Sequence, residues 1–281
     1  MKKTRTKNWL IAVIGGLLLI TVSLAGCGGT SPTPTVPGEL SGTITEAGST
    51  TVQPIAEKLA NAFTEKHPKV NIIVQGGGSS VGIKSAAQGT VDIGAASREL
   101  KPEEKGTVVE HIIARDGIAI IIHPSNPTNG LTRAQVKDIF AGKITRWSQV
   151  GGPNKAIHVV AREEGSGTRG AFEELVMGTD LITANAILQP SNGAIRTTVT
   201  GDPDSIGFLS FGYLDNSVKT LSIDGVAGTA ENARAGTYPV VRPLLFLTRS
   251  QPTGLVKAFL DFCLSAEGQA IVVEEGYLPV K

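Results

Sequence analysis

Arg-Glu-Glu-Gly-Ser-Gly-Thr-Arg occupies residues 162–169, after an apolar run at residues 157–161 and before apolar residues at helical spacing in residues 170–176. This order predicts a strand, a turn that contains glycine, and a helix that begins close to the turn. The first turn of a helix leaves backbone N–H groups unpaired and carries the positive end of the helix dipole. With an arginine and two hydroxyl side chains beside it, such a turn suits a tetrahedral oxyanion. On its own, however, a Gly-Ser-Gly-Thr run is more often a plain turn and N-cap.

Two further segments share this pattern. Ala-Gly-Ser-Thr-Thr at residues 47–51 precedes an apolar stripe at helical spacing. Gly-Gly-Gly-Ser-Ser at residues 76–80 lies between an apolar run, residues 70–74, and a helix predicted over residues 81–87. Glycine lets the backbone approach a ligand closely, and serine or threonine can cap a helix or donate its hydroxyl to an anion. If the three turns converge, their N–H and O–H donors surround one small site.

Strand and helix patterns alternate through the rest of the chain, which predicts an α/β fold. Further strands are expected at residues 91–96, 112–114, 117–123, 206–210 and 240–247, and further helices at residues 131–140, 255–264 and 269–274.

The N-terminus resembles a bacterial lipoprotein signal. Four basic residues precede an apolar run at residues 10–20, and Leu-Ala-Gly-Cys follows at residues 24–27. The resemblance implies a signal peptide at residues 1–26, a lipid on the Cys27 thiol, and a flexible tether at residues 27–40 that is rich in Pro, Thr and Ser. The mature protein would then be anchored on the extracytoplasmic face of the cell membrane. A single transmembrane anchor is the alternative, since the apolar run approaches the length that spans a bilayer.

Composition excludes several classes of function. Removal of the four basic residues of the leader leaves 22 basic against 25 acidic residues, so the mature chain carries a charge of about −3 and is a poor candidate for nucleic-acid binding. The four histidines lack metal-ligand spacing, and no glycine stands two residues before Ser166, as a nucleophile elbow requires. We therefore expect no catalytic residue, no metal and no cofactor. Cys263 is expected to be a small buried residue.

Six sequence blocks in a fixed order carry a resemblance to the substrate-binding proteins of bacterial phosphate ABC importers. The blocks are residues 47–51, 76–80, 92–99, 140–147, 162–169 and 206–208, and the resemblance runs from about residue 44 to residue 279. It implies a two-lobed periplasmic-binding-protein fold of type II, in which each lobe is a mixed sheet flanked by helices. Phosphate would bind between the lobes and pass to a membrane permease that a cytoplasmic ATPase drives. A monomer is expected.

The resemblance also implies a set of phosphate ligands. They are Ser49, Thr50, Thr51, Ser79, Ser97, Arg162, Ser166, Gly167 and Thr168. Glu164 matches a carboxylate that pairs with the arginine and orients its guanidinium, whose planar fork can bind two oxygens. Arg98 either adds positive charge at the cleft or is a solvated surface residue.

Ser97 departs from the family pattern. The best-known branch has an aspartate there, which accepts the proton that distinguishes hydrogen phosphate from sulfate. A serine hydroxyl can donate as well as accept, so sulfate is excluded less strongly, or another acceptor such as Glu99 or a backbone carbonyl replaces the aspartate. Binding of another oxyanion, sulfate or molybdate, and a role as a phosphate-sensing surface protein remain open.

Two crossings between lobes are expected, at residues 117–123 and at residues 240–245. One lobe would comprise residues 41–120 plus 241–281, and the other residues 121–240. Two crossings permit hinge bending. On this division the first turns belong to one lobe and the Arg162 turn to the other, so a bound anion would favour closure.

Overall fold

The computed structural model describes residues 39–280, in which strands and helices alternate. The strands are β1 (Gly42–Gly48), β2 (Val70–Gly76), β3 (Ile93–Ala96), β4 (Val109–Ile122), β5 (Gly130–Leu131), β6 (His158–Arg162), β7 (Ile187–Gln189), β8 (Ser205–Ser210), β9 (Lys219–Thr220), β10 (Ser222–Ile223) and β11 (Val241–Thr248). The helices are α1 (Gln53–Lys66), α2 (Ser79–Gln88), α3 (Arg133–Phe140), α4 (Gly167–Phe172), α5 (Asn192–Gly201), α6 (Ala230–Arg234), α7 (Gly254–Cys263) and α8 (Ala266–Glu274). The predicted α/β class is confirmed.

Nine strands form one mixed sheet. Their order is β2-β1-β3-β11-β4-β8-β6-β7, with β9 pairing with β4 beside this path. β1 runs parallel to β2 and β3, and β6 runs parallel to β7 and β8, whereas β11 and β4 are antiparallel to their neighbours. Because β1, β2 and β6 are each followed by a turn and a helix, the three glycine-containing turns lie at the carboxyl ends of parallel strands.

β4 differs from the sequence expectation, which placed two separate apolar runs where the structure has one strand of 14 residues. Of the two charged residues inside the strand, Arg115 is exposed, and Asp116 lies opposite Arg242 of β11 and forms a buried ion pair with it. Residues 109–117 of β4 pair with β11, and residues 118–122 pair with β8. The strand therefore passes from one set of partners to another at Gly117.

Buried apolar side chains gather in two large clusters. One draws on residues 44–114 and 244–277, and the other on residues 118–240 with Leu278. In the second cluster Phe172 of α4 stacks on Phe208 of β8, with ring centroids 4.2 Å apart. In the first, α1 buries Ile55, Leu59 and Phe63. The apolar faces of α1 and α4 are thus anchored in these clusters, which fixes the position of the first residues of both helices.

Cys263 is buried, as expected from the sequence, and burial raises the pKa of its thiol. Thr132 caps α3 through a capping box, and Pro54 lies in the first turn of α1. No helix within residues 39–280 combines the length and the apolar character needed to cross a bilayer. The expected signal peptide, Cys27 and most of the tether lie outside the described residues.

Candidate functional site

The first turn brings Ser49 against Ser97. Gly48 has a φ of +145°, and a Cβ at this position would lie 2.2 Å from the carbonyl oxygen of Ala95, so only glycine allows β1 and β3 to approach this closely. The Ser49 backbone N–H donates to that carbonyl at 2.9 Å. The Ser49 hydroxyl donates to Ser97 Oγ at 2.9 Å and accepts from the Thr51 N–H at 3.2 Å.

The second turn adds Ser79, the first residue of α2, whose side chain is fully buried. Its Oγ accepts from the Ser97 N–H at 3.0 Å and lies 3.5 Å from Ser97 Oγ. The next residue, Ser80, donates its N–H to the Gly165 carbonyl at 3.1 Å. The second turn therefore contacts both Ser97 and the turn that follows Arg162.

The third turn ends at Ser166, which caps α4 by accepting the Arg169 N–H at 3.2 Å. A Cβ on Gly167 would lie 2.1 Å from Ser79 Oγ and 2.6 Å from Ser97 Oγ, so the backbone at the start of α4 lies directly against these hydroxyls. Thr168 Oγ1 lies 3.0 Å from Thr51 Oγ1. Of the sequence-predicted ligands, the hydroxyls of all three turns thus meet in one buried cluster.

Arg162 reaches the same cluster from the end of β6 and is only 2% exposed. Its Nε donates to the Gln189 carbonyl at 3.2 Å, and its Nη2 donates to the Pro190 carbonyl at 2.8 Å and to Thr50 Oγ1 at 3.2 Å. Its Nη1 is buried and has no hydrogen-bond partner among the described residues. Burial and the nearby charge of Arg242 lower the pKa of Arg162 to about 10, so the side chain still carries its charge at neutral pH.

The pairing of Glu164 with Arg162 is not what the structure shows. Glu164 is exposed, and no ion pair joins it to Arg162 in the described part of the chain. The carbonyls of Gln189 and Pro190 hold the guanidinium instead. They lie at the end of β7, which pairs with β6 in parallel, so the sheet itself delivers these acceptors.

Arg98 is neither a solvated residue nor a free cation. It is 4% exposed, and its two terminal nitrogens donate to the Glu104 carboxylate at 2.7 and 2.8 Å. Nη1 also donates to the Glu99 carbonyl. Arg98 lines a cavity of about 340 Å³ beside the cluster, but its charge is balanced by Glu104. Among the described residues, no group of His, Cys, Asp and Glu side chains is placed to hold a metal ion.

Sequence reasoning missed Arg242 and Asp116. Arg242 Nε and Nη2 donate to Asp116 Oδ2 at 3.0 and 2.7 Å, and both side chains are almost completely buried. Burial raises the pKa of Asp116, while Arg242 and hydrogen bonds from Ser210 and Phe211 oppose this rise. The signal available in the sequence was that Asp116 and Arg242 each place a charge within an otherwise apolar strand pattern.

Arg242 also contacts the hydroxyl cluster. Its Nη1 donates to the Ser97 carbonyl at 3.0 Å and to Ser97 Oγ at 3.4 Å, and its Nη2 donates to Thr51 Oγ1 at 3.4 Å. Asn192, buried at the start of α5, donates to the same Thr51 oxygen at 2.8 Å. Neither residue carried a sequence motif, because each contact joins distant segments.

Two tyrosines fix the first turn. Tyr213 Oη donates to the Thr50 carbonyl at 2.7 Å, and Tyr277 Oη donates to the Thr51 carbonyl at 2.9 Å. The turn is therefore held from two sides while its hydroxyls remain directed at the cluster. The cluster combines many donors with two buried guanidinium groups and a single buried carboxylate, which is an arrangement suited to an anion.

Comparison with known proteins places the chain in a family. The profile of the PBP superfamily domain matches residues 33–267. The phosphate-binding protein PstS of Bacillus subtilis is 33% identical over 288 residues, which cover all of this chain and 95% of that protein. The chain belongs to the phosphate-binding protein family of this superfamily. PstS of Pseudomonas aeruginosa is 30% identical over 86% of this chain and 84% of its own length.

Solved structures agree with this assignment. A protein from Clostridium perfringens, described as a phosphate ABC transporter substrate-binding protein with bound phosphate, is 45% identical and superposes with a TM-score of 0.83, covering 85% of this chain and all of its own. An ABC-type phosphate transport receptor from Vibrio cholerae is 37% identical with a TM-score of 0.73, covering 84% of this chain and 99% of its own. The periplasmic-binding-protein fold expected from the resemblance is confirmed.

Proposed function

We propose that this protein captures inorganic phosphate outside the cytoplasm and delivers it to an ABC-type importer. The observation that carries the proposal is the buried Nη1 of Arg162, which has no partner within residues 39–280 and lies in a cluster of hydroxyls from three glycine-containing turns. An unpaired buried donor is unfavourable, and an anion oxygen satisfies it. The relatives named as phosphate-binding proteins support phosphate as that anion.

The proposed contacts are strong enough for capture without a metal. Each hydrogen bond to a charged group contributes about 1.5–3 kcal/mol. A micromolar dissociation constant corresponds to only about 8 kcal/mol. The Arg162 fork and four or five hydroxyl or N–H donors therefore suffice, even after the cost of removing water from the anion.

Phosphate would replace hydrogen bonds that the cluster now makes to itself. Thr51 bonds to Thr168, and Arg162 bonds to Thr50, so residues of the first turn meet residues of the third directly. An anion inserted between them would exchange these bonds for bonds to its oxygens. The affinity then depends on how readily the two sides separate.

We propose that these two sides are lobes, with residues 41–120 plus 241–281 on one and residues 121–240 on the other. The two buried apolar clusters support this division, because the chain passes from one cluster to the other at Gly117 in β4 and passes back between Val240 and Leu244 near β11. β4 and β11 would form the hinge. The ion pair between Asp116 and Arg242 lies at this point in both strands.

Delivery would follow the pattern of the family. The lipoprotein-like leader supports attachment of Cys27 to the outer face of the cell membrane, and the relatives support a permease and an ATPase as partners. As a monomer, the protein would supply only the capture step. The family's named relatives are binding proteins, in agreement with the expectation that the chain is not an enzyme.

Isothermal titration of the purified chain with phosphate, sulfate and molybdate tests the proposal. We expect saturable phosphate binding with one ion per chain. Another oxyanion is the second candidate, favoured by the serine at position 97, and a chain that binds sulfate or molybdate but no phosphate would overturn the proposal.

A further inference from the structure

We infer that Tyr213 holds the two proposed lobes together across the cleft and thereby slows the release of bound phosphate. The inference rests on the proposed function, because it concerns the closure of the same site. Tyr213 lies in residues 121–240, whereas the carbonyl that accepts its hydroxyl proton belongs to Thr50 in the first turn. Tyr213 is a positioning residue, since it acts on the turn that binds the anion and not on the anion itself.

The Thr50 carbonyl is available to Tyr213 because of a proline. In a helix, the carbonyl of one residue accepts the N–H of the residue four positions later, so the partner of Thr50 in the turn that leads into α1 would be residue 54. That residue is Pro54, which has no N–H. The Tyr213 hydroxyl donates to the carbonyl at 2.7 Å instead. A donor from the other side of the cleft thus replaces one that α1 lacks.

Tyr213 is fixed to its own lobe through its backbone. It ends a short 3-10 turn, residues 211–213, which Ser210 caps. The Tyr213 carbonyl accepts from Arg196 Nη1 of α5 at 3.0 Å. Burial raises the pKa of Tyr213 to about 12, so its hydroxyl keeps its proton at neutral pH and donates. Separation of the lobes therefore moves the hydroxyl away from Thr50.

The bond from Tyr213 differs from the contacts that phosphate would replace. The bonds of Thr51 to Thr168 and of Arg162 to Thr50 Oγ1 use groups that can turn to an anion oxygen. A carbonyl oxygen only accepts, as does a phosphate oxygen without a proton, so such an oxygen does not bond to the Thr50 carbonyl. The Tyr213 bond therefore remains when the site is filled, and it adds to the bonds that the anion makes to both lobes.

This bond acts on closure. It forms only when the lobes are together, so its loss favours the open form. One neutral hydrogen bond corresponds to about fivefold in an equilibrium constant. Because phosphate enters and leaves through the open form, the bond is already broken when the anion arrives. Its loss therefore changes the rate of release and leaves the rate of association nearly unaltered.

Tyr213→Phe in the full-length chain, purified in detergent, tests the inference. Isothermal titration gives the dissociation constant for phosphate. Release of radiolabelled phosphate into excess unlabelled phosphate, followed by rapid filtration, gives the dissociation rate constant, and the two values together give the association rate constant. We expect the dissociation constant and the release rate to rise about fivefold, and the association rate constant to stay within about twofold of the wild type.

The outcomes separate this inference from the proposed function. A wild-type release rate in Tyr213→Phe overturns the inference alone. A loss of affinity that appears only in the association rate also overturns it, because Tyr213 then merely shapes the turn. A wild-type chain that binds no phosphate overturns the proposed function and the inference with it.

Two other tyrosines provide comparisons. Tyr277 donates to the neighbouring Thr51 carbonyl at 2.9 Å from the same proposed lobe as that turn. Its bond is present whether the lobes are open or closed, so Tyr277→Phe should lower the melting temperature but accelerate release less than Tyr213→Phe does. Equal acceleration in the two variants overturns the inference. Tyr238→Phe removes a buried bond to the Ile118 carbonyl inside the second apolar cluster and should leave release unchanged.

Arg196→Gln decides the matter if Tyr213→Phe does not fold. It removes the donor to the Tyr213 carbonyl, together with the exposed ion pair to Asp215. We expect faster release, by less than in Tyr213→Phe, whereas its control Asp215→Asn keeps the arginine on Tyr213 and should release phosphate as the wild type does. Equal release rates in Arg196→Gln and Asp215→Asn overturn the inference.

Discussion

Substitution of Arg162 by alanine removes the one buried nitrogen of the site that lacks a partner in the described chain. Nη1 carries two hydrogens, so it can give one or two charge-assisted hydrogen bonds to an anion. At about 1.5–3 kcal/mol each, their loss weakens binding by about 3 kcal/mol, which is about a hundredfold in the dissociation constant. Any contribution of the charge itself increases this loss.

The same change has a structural cost that must be separated from binding. The Pro190 carbonyl loses the Arg162 donor, and the Gln189 carbonyl keeps only the Glu163 N–H, which lowers the free energy of unfolding by about 1–3 kcal/mol. Thermal unfolding of Arg162→Ala therefore accompanies the phosphate titration. In Arg162→Lys the charge is kept but the planar fork is lost, and we expect an intermediate affinity.

Arg98→Gln is the matched control, because Arg98 is another buried arginine near the cluster whose terminal nitrogens are occupied by Glu104. We expect its phosphate affinity to stay within about threefold of the wild type, a difference of under about 1 kcal/mol. If Arg162→Ala is folded and titrates phosphate as the wild type does, or if Arg98→Gln loses as much affinity, the assignment of Arg162 as the anion-binding arginine is refuted.

Two further predictions concern a glycine at the start of α4 and a buried glutamate outside the site. Gly167→Ala places a Cβ 2.1 Å from Ser79 Oγ, and we expect this variant to lose phosphate binding in a titration. The control Gly201→Ala meets no atom within 4 Å of its new Cβ and should bind phosphate normally. Equal affinity in the two variants would show that the start of α4 does not contact the ligand. Glu46 is buried with neither carboxylate oxygen hydrogen-bonded in residues 39–280, and burial, reinforced by the charge of Glu57, raises its pKa well above 4.5. The folded state then holds a proton that the unfolded state has lost, so stability falls as pH rises above 4.5, by about 1.4 kcal/mol per unit until the raised pKa is reached. Glu46→Gln should have a higher melting temperature than the wild type at neutral pH and a similar one at about pH 4, below the pKa of an unperturbed glutamate. A difference in melting temperature that is the same at all pH values would contradict this reasoning.

Much of the fold could be predicted from local sequence patterns. The order of apolar runs and glycines predicted the α/β class, the helix expected at residues 131–140, and the turns at residues 47–51, 76–80 and 162–169. These features depend on neighbours within a few positions in the chain, and each has a physical reason at that scale. The ligand set itself came from the family resemblance, and the contacts among Ser49, Ser79 and Ser97 join segments that are distant along the chain.

Contacts between residues that are distant along the chain could not be predicted from local sequence patterns. Arg115 and Asp116 interrupt an apolar pattern, so the sequence indicated two runs where a buried ion pair with Arg242 keeps one strand intact. Glu164 is near Arg162 in sequence, yet the carbonyl of Pro190 holds the guanidinium, because the partner is set by the parallel pairing of β6 with β7. Such partners are fixed by sheet register rather than by spacing along the chain.

The most direct measurement is a crystal structure of this protein grown with inorganic phosphate. We predict one phosphate ion within hydrogen-bonding distance of Arg162 Nη1, of Ser79 or Ser97, and of the N–H groups at the start of α4, with the bond between Thr51 and Thr168 replaced by bonds to phosphate oxygens. Phosphate bound elsewhere on the chain, or a site in which Arg162 makes no contact with the ion, would contradict the account.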